Sequence, residues 1–204
     1  MKIGILALQG DYSVHATVLQ QLNVDHFLVR NPKELADADA LILPGGESSV
    51  LIKLLQENGL WSVLVCYKKP ILGTCAGAIL LAAKVSSPEQ MTLHCIGISI
   101  ERNAYGRQLS SQVTTGTCLL TQREIEMVFI RAPKITEINK KSVRILATIR
   151  NQPVAVQEGH AIAATFHPEL SADNTLHTYF VNLTERYLSK SAESPLSNDM
   201  TRHA

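Results

Sequence analysis

Three short, uninterrupted apolar runs mark the first part of the chain: KIGILAL at 2–8, ALILP at 40–44 and PILG at 70–73. A strand covered on both faces needs no polar alternation, so these runs predict buried strands. Stretches of helical spacing lie between them. Val14, Val18, Leu19 and Leu22 share one face of a helix predicted over 14–22; a second runs from Ser48 to Asn58, opened by a serine and closed by Asn58-Gly59. Strand and helix alternate through residues 1–90, which predicts an α/β fold: a mainly parallel central sheet with helices on both faces.

From Leu93 the pattern turns β-rich, with GISIE, EMVFIRAP, VRILATI, PVAVQEG and HAIAATFHP separated by turn-forming residues. These segments are expected to continue and edge the same sheet. Leu176, Phe180, Leu183 and Tyr187 then fall on one face of a closing helix over 176–188. The remaining SAESPLSNDMTRHA is polar and predicts a disordered tail. The expected organisation is one domain over 1–188 and a tail over 189–204.

Composition narrows the function more than the fold. With 204 residues, 46% of them hydrophobic, the chain can bury one sizeable core. Nineteen basic and 18 acidic residues leave a net charge of +1, which argues against a nucleic-acid or membrane binder driven by electrostatics. A small polar molecule or another protein is the expected partner. Cys66, Cys75, Cys95 and Cys118 show no CxxC pair and no zinc-site spacing, and no secretory leader or membrane-spanning run is evident. A reducing, cytoplasmic setting and no metal are therefore expected.

GTCAG at 73–77 follows an apolar run and precedes AILLAA. In a strand-turn-helix elbow of the form G-x-nucleophile-x-G, flanking glycines relieve crowding and raise the nucleophile over the sheet edge. Cys75 would there meet the N-terminus of a helix, which favours the thiolate, with the Ala76 amide facing a developing oxyanion. On these five residues alone, a buried structural cysteine in a tight turn fits equally well. A cysteine nucleophile needs a base, and the base needs an orienting partner. FHPEL at 166–170 supplies His167 and Glu169 at the end of an apolar strand. LPGGES at 43–48 adds a glycine-rich strand-to-helix turn whose amides can approach a substrate, with Gly46 as a second oxyanion donor.

Together these residues resemble a class I, triad-type glutamine amidotransferase. LALQG at 6–10, LPGGES, GTCAG, ERNAYGRQ at 101–108, FIRAP at 129–133 and FHPEL narrow the resemblance to the glutaminase subunits of pyridoxal phosphate synthase complexes. The resemblance implies a flavodoxin-like three-layer sandwich, with Cys75 as nucleophile, His167 as base and then acid, and Glu169 orienting His167. It places Gly46, Glu47, Ser48, Arg102, Ile130 and Arg131 around L-glutamine, and Gln9 at a contact with a (β/α)8-barrel synthase subunit that consumes the ammonia. No cofactor is implied. An arginine suits the α-carboxylate of glutamine and a glutamate its ammonium, although a structural ion pair is the plainer role for either arginine. Two departures concern partner contacts: Val14 before His15, where a glutamate is frequent, and LSSQV after ERNAYGRQ. The competing readings are the glutaminase of a different amidotransferase, a noncatalytic glutamine sensor, and a cysteine hydrolase acting on another amide.

Overall fold

A computed structural model describes residues 1–102, 104 and 111–193. Of ERNAYGRQ, only Glu101, Arg102 and Ala104 are therefore described. The rest of that motif, Leu109 and Ser110 of LSSQV, and residues 194–204 of the expected tail lie outside the described residues.

The first part alternates as the apolar pattern predicts. Strands β1 (Ile3–Leu6), β2 (His26–Val29), β3 (Ala40–Leu43) and β4 (Ile71–Thr74) are interleaved with helices α1 (Tyr12–Gln21), α2 (Pro32–Ala36), α3 (Ser48–Glu57), α4 (Leu60–Val65) and α5 (Ala76–Leu81). There follow β5 (Ala82–Ser86), β6 (Ile96–Glu101), β7 (Ser111–Cys118), β8 (Arg123–Ile130), β9 (Lys134–Ile138), β10 (Arg144–Ile149), β11 (Gln152–Glu158) and β12 (Ala161–Ala164), then α6 (Thr175–Glu193). Apolar periodicity alone did not mark β2, α2 or α4. β2 is only half-buried at three of its four positions, and α2 is a short helix capped by Asn31, whose side chain accepts from the Glu34 amide at 3.0 Å.

Nine strands form the main sheet in the order β2-β1-β3-β4-β12-β11-β10-β7-β8. Pairing is parallel from β2 to β12 and antiparallel from β12 to β8. The α/β class holds, but the sheet is parallel only over that first half. β7–β8, β10–β11 and β11–β12 are joined by short connections, which permit only antiparallel neighbours, while β10 returns beside β7 after β8 and β9. A second departure concerns GISIE, which does not edge this sheet. Its strand β6 pairs with β5 and β9 in a separate three-stranded sheet, and its alternating burial fits a sheet with one covered face.

Alternation along the central strands feeds two cores. Ile3, Ile5, Ala40, Ile42, Leu72, Ile162 and Ala164 pack with Leu19 of α1 and Leu176 and Phe180 of α6. On the opposite face Leu41, Leu43, Ile71 and Ala163 pack with Leu51 and Leu55 of α3, with α4 and α5, and with the small sheet. This is the expected three-layer arrangement. α6 continues past Leu188 to Glu193. Its apolar face ends earlier, but the Ser189 and Ser191 hydroxyls donate to carbonyls one turn back and Lys190 lies near the C-terminus, where positive charge is favourable. No helix among the described residues is long and apolar enough to cross a membrane.

Candidate active site

Pairing of β12 beside β4 brings distant motifs together. The register sets Ala164 against Thr74 and, on the other side of β4, Leu43 against Gly73. The chain leaving each of these three strands therefore emerges at one edge, where open α/β sheets hold ligands.

Cys75 occupies the single position between β4 and α5, with φ +48° and ψ −102°. A non-glycine residue in such a conformation costs about 1–3 kcal/mol and persists only where its surroundings impose it. Here the Cys75 amide donates to the Ala164 carbonyl at 2.9 Å and its carbonyl accepts from the Ile79 amide at 3.1 Å. A β-carbon on Gly73 would lie 2.5 Å from the Gly77 carbonyl, and one on Gly77 would run into the backbone of Leu43. Neither glycine has a positive φ. They are required because the elbow folds tightly on itself and on β3. Cys75 is buried but for one edge, and its Sγ lies 3.8 Å from the Ile130 carbonyl.

His167 is fixed by its amide, which donates to the Val128 carbonyl of β8 at 2.8 Å. Strand alternation does not bring Glu169 to it. Instead Pro168–Leu170 form a 3₁₀ turn, which swings the carboxylate beneath the ring so that Nδ1–H donates to Glu169 Oε1 at 2.7 Å. Both side chains are buried. Burial alone would lower the His167 pKa; hydrogen bonds to Cys75 and Glu169, together with their charge, outweigh it and push the pKa up to about 10. The imidazolium form is thus held between a sulfur and a carboxylate.

The third wall is LPGGES. A β-carbon on Gly45 would run into the His167 ring and stand 3.3 Å from Cys75 Cβ, so glycine is what lets Cys75 and His167 meet. Gly46 has φ +130° and packs on Gln9, whose side-chain amide donates to the Glu47 carbonyl at 2.7 Å. Glu47 caps α3 by accepting from the Val50 amide at 2.8 Å and from Ser49, and it pairs with Arg102 at 2.7 Å. Partial burial raises its pKa, but the Ser49 and Val50 hydrogen bonds and Arg102 prevail and hold it below the ordinary value.

A cavity of about 490 Å³ opens over Cys75 and His167. Gly46, Glu47, Ser48, Arg102, Ile130 and Arg131, all expected from sequence, line it. Arg102 and Glu47 meet each other, which is the structural ion pair that the sequence left open. Arg131, at φ +46°, has no carboxylate partner among the described residues. Asp11, Ile79 and Ser111 also line the cavity and were not expected. Ala76 is fully buried at the start of α5, Glu169 is buried behind His167, and Gln9 is half-buried against Gly46.

Sequence reasoning missed a buried cluster beneath Glu169. His15 of α1 and His177 of α6 are both fully buried, with His15 Nδ1 3.0 Å from His177 Nε2 and His15 Nε2 3.3 Å from Thr74 Oγ1. His15 Nε2 also stands 3.5 Å from Glu169 Oε2. Burial lowers both histidines, His177 to about 4 and His15 well below its ordinary value, where the nearby His177 and His167 add to the effect.

An elbow cysteine facing a histidine–glutamate pair across neighbouring strand ends, on this mixed sheet, is the architecture of the class I glutamine amidotransferases. The sequence pattern of the SNO glutamine amidotransferase family matches residues 5–186, and the chain belongs to that family. It is 46% identical over 184 residues to "Pyridoxal 5'-phosphate synthase subunit PdxT" of Koribacter versatilis (strain Ellin345), covering 90% of this chain and 95% of that one. The protein of the same name from Dictyoglomus turgidum (strain DSM 6724 / Z-1310) is 45% identical over 186 residues, covering 89% and 97%. A crystal structure of a glutamine amidotransferase superposes with a TM-score of 0.83 at 38% identity, covering 90% of this chain and 98% of that one.

Proposed function

We propose that this chain is the glutaminase subunit of a pyridoxal 5'-phosphate synthase, hydrolysing L-glutamine to L-glutamate and ammonia. The observation that carries the reading is the line from Cys75 through His167 to Glu169, buried at its far end and open at Cys75 to a cavity of about 490 Å³. Family membership and the names of the relatives support the substrate and the assembly.

In this reading the Cys75 thiolate attacks the side-chain amide carbon of glutamine. The developing oxyanion is held by the Gly46 and Ala76 amides. His167 passes its proton to the amide nitrogen, the C–N bond breaks, and ammonia leaves with a thioester behind it. The neutral ring then takes a proton from water, whose oxygen attacks the thioester, and C–S cleavage returns the thiolate and glutamate. Glu169 keeps Nδ1–H oriented throughout. Arg131 takes the substrate α-carboxylate, and Glu47, steadied by Arg102, takes the ammonium. No step calls for a metal or an organic cofactor.

Ammonia is lost to protonation and diffusion unless a second active site consumes it. A (β/α)8-barrel synthase subunit docked over the cavity mouth is the partner of this reading, and Gln9, hydrogen-bonded to the oxyanion loop, belongs to that contact. Four free thiols suit a reducing cytoplasm. The test is glutamate release from L-glutamine, alone and with a cognate synthase subunit. Cys75→Ala should abolish release while the fold persists. Absence of release by the wild-type complex would instead favour a glutamine sensor or another amide as substrate.

A further inference from the structure

Glu169 is an acceptor at both oxygens, and among the described residues only Oε1 has a donor in close hydrogen-bond contact, His167. Oε2 is fully buried, and the polar atom that faces it is His15 Nε2, at 3.5 Å. A buried carboxylate oxygen left without a donor loses its hydration uncompensated, and the group is then held at one oxygen alone. The proton on His15 therefore matters, and the neighbours settle where it sits. Carboxylate can only accept, so Nε2 must carry the hydrogen. His15 Nδ1 is then a bare acceptor and receives the Nε2–H of His177 at 3.0 Å. His177 Nδ1 is left as an unpaired acceptor, in agreement with its lack of a partner among the described residues. The opposite tautomers would aim a lone pair at the carboxylate and orphan an N–H donor, a worse arrangement on both counts.

We infer that His15 is a positioning residue, whose Nε2–H, oriented by His177, fixes Glu169 and through it the proton-bearing ring of His167. This inference rests on the glutaminase reading above. His15 lies beneath the triad, is fully buried and takes no part in the cavity wall, so its loss should change the chemical step and leave glutamine binding alone. Lowered basicity of both histidines keeps the chain neutral beside the ionised pair. Thr74, adjacent to Cys75, turns its hydroxyl oxygen as an acceptor toward the same His15 Nε2–H at 3.3 Å and ties the elbow to the cluster.

Two amide replacements separate positioning from mere filling. The Nε2 of a glutamine side chain can reach the place of the imidazole Nε2, whereas an asparagine side chain reaches only the Nδ1 place, toward His177. His15→Gln is expected to keep kcat within about threefold of wild type; His15→Asn and His15→Leu should each lose at least about tenfold in kcat with KM unchanged. The low-field proton resonance of the His167–Glu169 hydrogen bond should persist in His15→Gln and broaden or shift in His15→Leu. Equal losses in the Gln and Leu variants, or full kcat in the Leu variant, would overturn the role of His15 while the glutaminase reading stands. No turnover by the wild-type protein in complex with a cognate synthase subunit would overturn both.

Discussion

Replacing Glu169 by Gln tests the heart of the site. The rise of the His167 pKa from 6.5 to about 10 corresponds to about 5 kcal/mol in favour of the imidazolium, at about 1.36 kcal/mol per tenfold change. Burial opposes that rise, and Cys75 and Glu169 share in producing it. Glu169 contributes a 2.7 Å charge-assisted hydrogen bond in a buried position, and a bond of that kind is worth on the order of 2–3 kcal/mol. Glu169→Gln should then move the alkaline limb of kcat, where in the proposed mechanism His167 loses the proton it delivers to the leaving nitrogen, down by about 2 pH units. The neutral amide can also present N–H where Oε1 accepted, which would stabilise the wrong tautomer, and kcat should fall by about 10²- to 10⁴-fold. The assay is glutamate release between pH 6 and 10.5, with thermal denaturation alongside to show a folded protein. An alkaline limb that stays in place, with kcat within about threefold of wild type, would refute the assignment of the His167 proton to this pair.

Two further outcomes follow from the same geometry. Gly45→Ala puts a methyl group 3.3 Å from Cys75 Cβ and against the His167 ring. It should cost at least about 10² in kcat by separating sulfur from imidazole and slow iodoacetamide labelling of Cys75; wild-type turnover would contradict the packing argument. For stability against pH, burial lowers His177 from 6.5 to about 4, so its contribution is complete above 6.5 and is lost as pH falls through 4, a change of about 3 kcal/mol. His15 acts in the same direction, whereas raised His167 contributes below 6.5 and fades as pH climbs through 10. In urea denaturation, wild type should lose about 3 kcal/mol relative to His177→Leu between pH 7.5 and 4, and an unchanged difference would show that the buried histidine does not titrate in this way.

Legibility in the sequence followed the range over which each constraint acts. Strands covered on both faces, such as IGIL and ALIL, announce themselves because every position must be apolar. GTCAG, LPGGES and FHPEL were readable because a strained elbow, a crowded glycine turn and a 3₁₀ turn each fix residue types at neighbouring positions. The small sheet was not readable: AAKVS and KITEI each cover one face only, and partnership between β6 and β9 joins strands separated by the whole β7–β8 hairpin. Nor could spacing show that Arg102 and Glu47 would meet, since three helices and three strands lie between them and only their packing brings the two together. The histidine pair shows how far such reading can be carried. His15 has Val18 and Leu19 three and four residues on, and His177 has Phe180 and Val181 at the same offsets, all buried. A histidine on the apolar stripe of a helix is a polar group that will lose water and must find a partner. Two such histidines on helices that cover the same face of one sheet satisfy each other, although 162 positions separate them. What remains after that pairing is one nitrogen on each ring, and only the fold reveals that the one on His15 turns toward the carboxylate of Glu169.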